Sequence, residues 1–349
     1  MSVKKRVEWI DFLRAFAIVL VVLLHIIDYR CRISEPANFD EWFCDFATGI
    51  GHLGVPFFLF ITGFLLLDRK YTKENIIRFY KKNFLGLLLT TELWFLILYL
   101  FFSLSGYMVF NINDLLDILT FTDYKGLYLY APVTAYIQFW YLPMILRIYL
   151  FIPFIAIIIS KIPIKIFYAC LIIFTLYAFA ADTFSHFQYA PKTDFFSRFK
   201  FYCDAFFAYV LWGYAIKKAA FDFLSKKICA VFFIISFAIM FYVIRYAHNI
   251  QYEFLPLIIA AIMFTVIIKK LRIKNIGKII FTVSKYSFPI YLIHAEWQTF
   301  LFLFCDMPIL NSISLHVIVY TFLITFTSIV IVKILNRFEF ISKYLFYMR

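Results

Sequence analysis

The chain is 349 residues long, 64% hydrophobic and basic, with a formal net charge of +13. Apolar stretches of about twenty residues recur along its length, which excludes a water-soluble protein and predicts an all-α polytopic membrane protein. Its Lys and Arg excess is the kind that gathers on cytoplasmic loops, so no nucleic-acid partner is expected.

Ten membrane spans are predicted, at residues 10–29, 47–67, 84–104, 136–160, 164–182, 201–217, 228–246, 252–270, 283–304 and 312–334. The apolar residues run all the way round each span, as in helices of a lipid-embedded bundle. No long polar stretch separates them, so residues 1–349 are expected to form one membrane domain without a soluble one. Of the 34 Lys and Arg, 25 fall on one side of this layout, seven on the other and two within spans. That bias puts both termini in the cytoplasm. Lys4, Lys5 and Arg6 precede the first span and no small-residue cleavage site follows it, which predicts a retained helix and not a removed signal peptide.

The first span, VEWIDFLRAFAIVLVVLLHIIDY, is apolar between Phe12 and Ile27 except for Arg14 and His25. Ionisable residues at that depth are costly and mark a functional interior by default. Eleven residues of helix bring the two to within about 20° of one face and roughly 16 Å apart along the axis. Asp11 lies three residues from Arg14 and Asp28 three from His25, so each carboxylate can meet its neighbour. The same stripe also suits a polar seam between helices. Cys31 and Cys44 share the segment that follows and can form a disulfide in an oxidising space. No cysteine has metal-ligand spacing, and no metal is expected.

Further along, GHLGVPFFLFITGFLLL (residues 51–67) carries glycines and a proline that permit bending and close helix approach. A basic segment follows, with Arg69, Lys70, Arg78, Lys81 and Lys82. Glu92 and Arg147 are ionisable groups within later spans. The segment 105–135 holds Asn111, Asn113, Asp114, Asp117, Asp123 and Lys125 among tyrosines; it and 183–200 suit either sugar rings or a membrane interface. QFWYLPMILRIYLFIP (138–153) is an aromatic entry to a span. YSFPIYLIH (286–294) ends in a second intramembrane histidine, with Ser287, Tyr291 and His294 able to share a face and Glu296 expected nearer the interface.

In this order, on a ten-span chain, these segments resemble the acyltransferase 3 family, integral membrane proteins that transfer acyl groups, most often acetyl, to exported or cell-surface glycans. The signatures are Arg14 and His25 with ten residues between them, VPFFLFITG, FWYL at 139–142, and YSFPIYLIH. The resemblance implies a multi-pass enzyme of the cell (inner or plasma) membrane, with acetyl-CoA as donor and a cell-surface or lipid-linked glycan as acceptor. It implies Arg14, with Asp11, as a donor contact, assisted by Arg69, Lys70, Arg78, Lys81 and Lys82. His25 becomes a general base steadied by Asp28, or an acyl-carrying nucleophile, with His294 and Tyr291 as further catalytic residues. The family's Arg-x-x-Arg pair is missing: Asn83 and Gly86 stand in its place, with Lys81 and Lys82 alongside. Two other readings compete: a glycan flippase or polymerase, and a proton-coupled transporter using His25, His294 and Glu92.

Overall fold

The computed structural model describes residues 6–34, 39–106, 109–122, 137–186, 204–247, 250–304 and 312–348, and every regular element among them is a helix. In chain order these are α1 (Glu8–Ser34), α2 (Phe39–Gly51), α3 (Gly54–Leu66), α4 (Lys73–Phe79), α5 (Leu85–Leu104), α6 (Ile112–Leu119), α7 (Tyr141–Lys161), α8 (Ile164–His186), α9 (Asp204–Lys217), α10 (Lys226–Ala247), α11 (Leu255–Leu271), α12 (Lys278–Lys285), α13 (Ser287–Phe304) and α14 (Ile313–Leu335). Among the described residues, seven stretches are long and apolar enough to cross a membrane: α1, α2 with α3, α4 with α5, α7, α8, α10 and α14. The protein is therefore an all-α polytopic membrane protein. The three other expected spans fall on α9, α11 and α13, of 14, 17 and 18 residues. In α11, Leu257, Ile258, Ala260 and Ala261 are fully buried.

The chain gathers into two compact units, residues 1–70, 154–287 and 312–318 in the first and 71–153, 288–311 and 319–349 in the second. At the centre of the first lies α1, whose Leu13, Ala17, Ile18 and Val22 are fully buried. Phe16 stacks on Phe264 of α11 at 5.4 Å between ring centroids, and both meet Phe57 of α3. α3 and α9 cross with backbones in contact, because a Cβ on Gly63 would overlap the Val210 carbonyl and one on Gly213 that of Phe60. Small residues at such a crossing let dispersion forces act across the shortest distance, the main source of helix association without water.

The α3–α9 pair is tied again just past the helix ends, where Asp68 meets Lys218 at 2.6 Å and Lys217 at 3.2 Å. Burial pushes the Asp68 carboxyl up, but the hydrogen bonds and charges of Lys218 and Lys217 together outweigh it and hold it below the usual carboxylate range. A carboxylate depressed in the folded state stabilises above its unfolded pKa of about 4, and that contribution is lost as pH falls through the lower folded value. Melting curves in detergent should therefore show Asp68→Asn less stable than wild type at pH 7, with the gap closing below about pH 4. An unchanged gap would remove the clamp from the argument.

At the start of α2, Asp45 accepts from Arg245 of α10 at 3.1 Å, and Glu41 pairs with the same guanidinium. Asp40 caps α14 from a distance in sequence, accepting from the Ile313 and Ser314 amides at 3.0 Å each. Cys44 is disulfide-bonded; the expected partner, Cys31, has its side chain outside the described residues.

In the second unit, α4 is capped by Thr72 and runs through a π-helical turn, Tyr80–Phe84, into α5. The turn is pinned by two tyrosines: Tyr80 donates to the Leu150 carbonyl at 2.6 Å, and Tyr347 to that of Asn83 at 2.9 Å. Of the long polar segment expected to suit sugars, residues 123–136 lie outside the described part, as do 187–200 of the second. Within the described portion, the Asn111 side chain caps α6, accepting from Asn113 at 2.9 Å, and its backbone is bound by the Tyr99 hydroxyl.

Candidate functional site

The first turns of α1 carry a polar knot. Asp11 accepts from Arg6 Nε at 2.5 Å and Ser284 Oγ of α12 at 3.0 Å, and it pairs with Arg14 Nη1 at 3.5 Å. Glu8, one turn earlier, accepts from the Ile276 amide at 3.0 Å, and the Arg6 guanidinium lies 3.9 Å from the centroid of the Phe281 ring. The Asp11–Arg14 pair expected from their three-residue spacing is thus formed, and Asp11 is its anchor. It holds two guanidiniums and the α12 hydroxyl, and it fixes where Arg14 points.

Three turns further on, the His25 imidazole donates Nδ1–H to the Val21 carbonyl at 2.8 Å. A carbonyl only accepts, so this bond sets the tautomer and leaves the ring's lone pair on Nε2. Val21 of the same helix is thus the partner that orients the ring at Nδ1.

The chain brings a second imidazole to this place. His52 sits at the break between α2 and α3, next to Gly51, which packs on Leu24 beside His25. It is 9% exposed, and its Nδ1 donates to the Thr48 carbonyl at 2.8 Å, the same device that fixes His25. Its ring packs against Tyr252 at 5.7 Å. Glycines on either side make the approach possible: a Cβ at Gly51 would lie 2.9 Å from Leu24 Cβ, and one at Gly54 would lie 2.9 Å from the Ala17 carbonyl oxygen. Irregular backbone at membrane depth survives only where protein or a polar cavity surrounds it. The signal was in the sequence. An intramembrane histidine between two glycines has the same standing as His25, yet the segment reads first for its glycines and proline.

In the second unit, His294 is fully buried and donates Nδ1–H to the Tyr291 carbonyl at 2.8 Å, so its lone pair also lies on Nε2. Tyr291 gives its hydroxyl proton to the Gln138 carbonyl at 2.6 Å, and its ring stacks on Phe288 and meets Tyr141 edge-on. Glu296 lies two residues beyond His294. It accepts from Gln138 Nε2 at 3.1 Å, while its second oxygen and Gln138 Oε1 are buried with no hydrogen-bond partner among the described residues.

The predicted site residues divide between the units. Asp11, Arg14, His25, Asp28, Arg69 and Lys70 belong to the first; Arg78, Lys81, Lys82, Tyr291 and His294 belong to the second. Arg69, Lys70, Arg78, Lys81 and Lys82 are all exposed, and the last two ride on the π-helical turn, a feature common at functional positions in helices.

These features define a polytopic membrane protein with ionisable side chains inside its helices. The chain belongs to the acyltransferase 3 family, whose model, described as an acyltransferase domain, matches residues 7–337. No curated protein and no solved structure matches it. The protein is accordingly a membrane acyltransferase.

Proposed function

We propose that the protein moves an acetyl group from cytosolic acetyl-CoA to a hydroxyl of a cell-surface or lipid-linked glycan, with both termini cytosolic. One observation carries this reading. A single helix holds a guanidinium braced by Asp11 and, beyond it, an imidazole whose Nδ1–H is committed to Val21. The first suits an anionic donor entering from the cytosol, and the second presents a base at Nε2 deeper in the membrane.

In this scheme Arg14 grips a phosphate or the polar arm of the donor, as a planar fork suited to oxyanions. The exposed cations Arg69, Lys70, Arg78, Lys81 and Lys82 draw the multiply charged nucleotide toward the membrane. The acceptor hydroxyl attacks the thioester carbonyl and its proton passes to His25 Nε2. The C–O bond forms, the C–S bond breaks, and CoA leaves. Tyr291 holds the Gln138 backbone in register, its hydroxyl donating to that carbonyl at 2.6 Å. An ionised carboxylate at Asp28 favours the imidazolium that forms on His25.

The test is direct. Protein reconstituted in nanodiscs with radiolabelled acetyl-CoA and a membrane-glycan extract should release CoA and place label on glycan. Movement of labelled glycan across vesicles without CoA release would overturn the proposal in favour of a flippase. Asp11→Asn adds a second check. It loosens Arg14 without touching His25, so KM for acetyl-CoA should rise at least several-fold with kcat less affected. A fall in kcat alone would detach Asp11 from donor binding.

A further inference from the structure

We infer that His52 is the second acid–base group of this site: it delivers the proton to the departing thiolate while His25 takes the proton of the attacking hydroxyl. The inference rests on the acyl-transfer reading above. It starts from geometry. His52 follows Gly51, where an added Cβ would lie 2.9 Å from Leu24 Cβ, so the α2–α3 break lies against the turn of α1 that carries His25. The glycine-lined contact of the α2–α3 break with α1 brings them together, and Tyr252 closes the site from the turn before α11. Each ring has Nδ1 spent on a carbonyl of its own helix, Val21 for His25 and Thr48 for His52. Proton exchange at either ring therefore runs through Nε2.

Charge decides how the two share their work. Two imidazoliums side by side repel, so a proton held by one ring keeps the other neutral. One imidazolium and one neutral ring is the balanced state, so the pair divides into an acid and a base. The departing group explains why an acid is needed. A thiolate shed into water is solvated at once; one shed among apolar helices is not, and protonation on departure removes that cost.

The step balances. The hydroxyl oxygen bonds to the acyl carbon as its proton moves to His25 Nε2. The carbon–sulfur bond breaks as His52 Nε2–H protonates the sulfur, and CoA leaves as the thiol. Transfer of the proton from His25 to His52 restores the starting state.

The experiment compares His52→Gln and His25→Gln on two donors, acetyl-CoA and S-phenyl thioacetate, whose thiophenolate is a far better leaving group. His52→Gln should lose roughly 10²–10⁴-fold in kcat with acetyl-CoA and stay close to wild type with the phenyl thioester. His25→Gln should lose activity with both. Equal losses for His52→Gln on the two donors, or none with acetyl-CoA, would overturn the inference. Full activity in His25→Gln would instead overturn the reading beneath it. As a second variant, His52→Ala should regain turnover when imidazole is added, and failure to do so counts against the acid role.

Discussion

His25→Gln is expected to lower the turnover of acyl transfer by roughly 10²–10⁴-fold, the usual contribution of a positioned base, with donor affinity and fold unchanged. The substitution is chosen for what it keeps. Glutamine is similar in length, and its amide N–H can still donate to the Val21 carbonyl that now receives Nδ1–H at 2.8 Å. What it lacks is a lone pair basic enough to accept a proton near neutral pH. A purely structural His25 would tolerate the exchange, so activity within two- or three-fold of wild type, beside an unchanged melting temperature, would end the general-base assignment. CoA binding by calorimetry supplies the control, because donor contacts are assigned to Arg14, about 16 Å away along the helix. The double variant His25→Gln, His52→Gln should lose little more than His25→Gln alone, since groups acting as one unit are strongly non-additive.

The sequence carried a good part of this site because much of it lies on one helix. Three-residue spacing is enough to predict the contact of Asp11 with Arg14, and the span itself follows from apolar length. What was hidden depends on contacts between elements distant in the chain. Ser284 is 273 positions from Asp11, and no local pattern announces their hydrogen bond. The choice of Val21 as the partner of His25 Nδ1 depends on a side-chain torsion, to which spacing is blind. The placement of His52 depends on how closely two helices approach. The partner of Glu296, Gln138, likewise comes from 158 positions away. The π-helical turn under Lys81 and Lys82 is likewise set by Tyr80 and Tyr347, which grip backbone carbonyls from outside it.

The largest structural effect is expected at the α3–α9 crossing, where Gly213→Val should prevent accumulation of folded protein and Gly213→Ala should already destabilise it. Two effects oppose each other in the alanine variant. Exchanging Gly for Ala inside a helix contributes about 1 kcal/mol through backbone entropy and propensity. Against this, the new Cβ would overlap the carbonyl oxygen of Phe60, a backbone atom that cannot rotate aside. Relief requires α3 and α9 to part along their contact, and overpacking of this kind typically costs 1–3 kcal/mol or more, before counting the lost dispersion. The clash should win. Gly277 gives the control: a Cβ there meets nothing within 4 Å, so Gly277→Ala should stay within about 0.5 kcal/mol of wild type. Melting temperature and yield in detergent distinguish the two, and a Gly213→Ala protein as stable as Gly277→Ala would show that the helices do not touch through backbone. The outcome bears on chemistry as well as folding. α3 begins two residues after His52, so a shift of α3 moves that imidazole relative to His25 on α1. Any Gly213→Ala protein that still inserts should therefore lose activity out of proportion to its loss of stability.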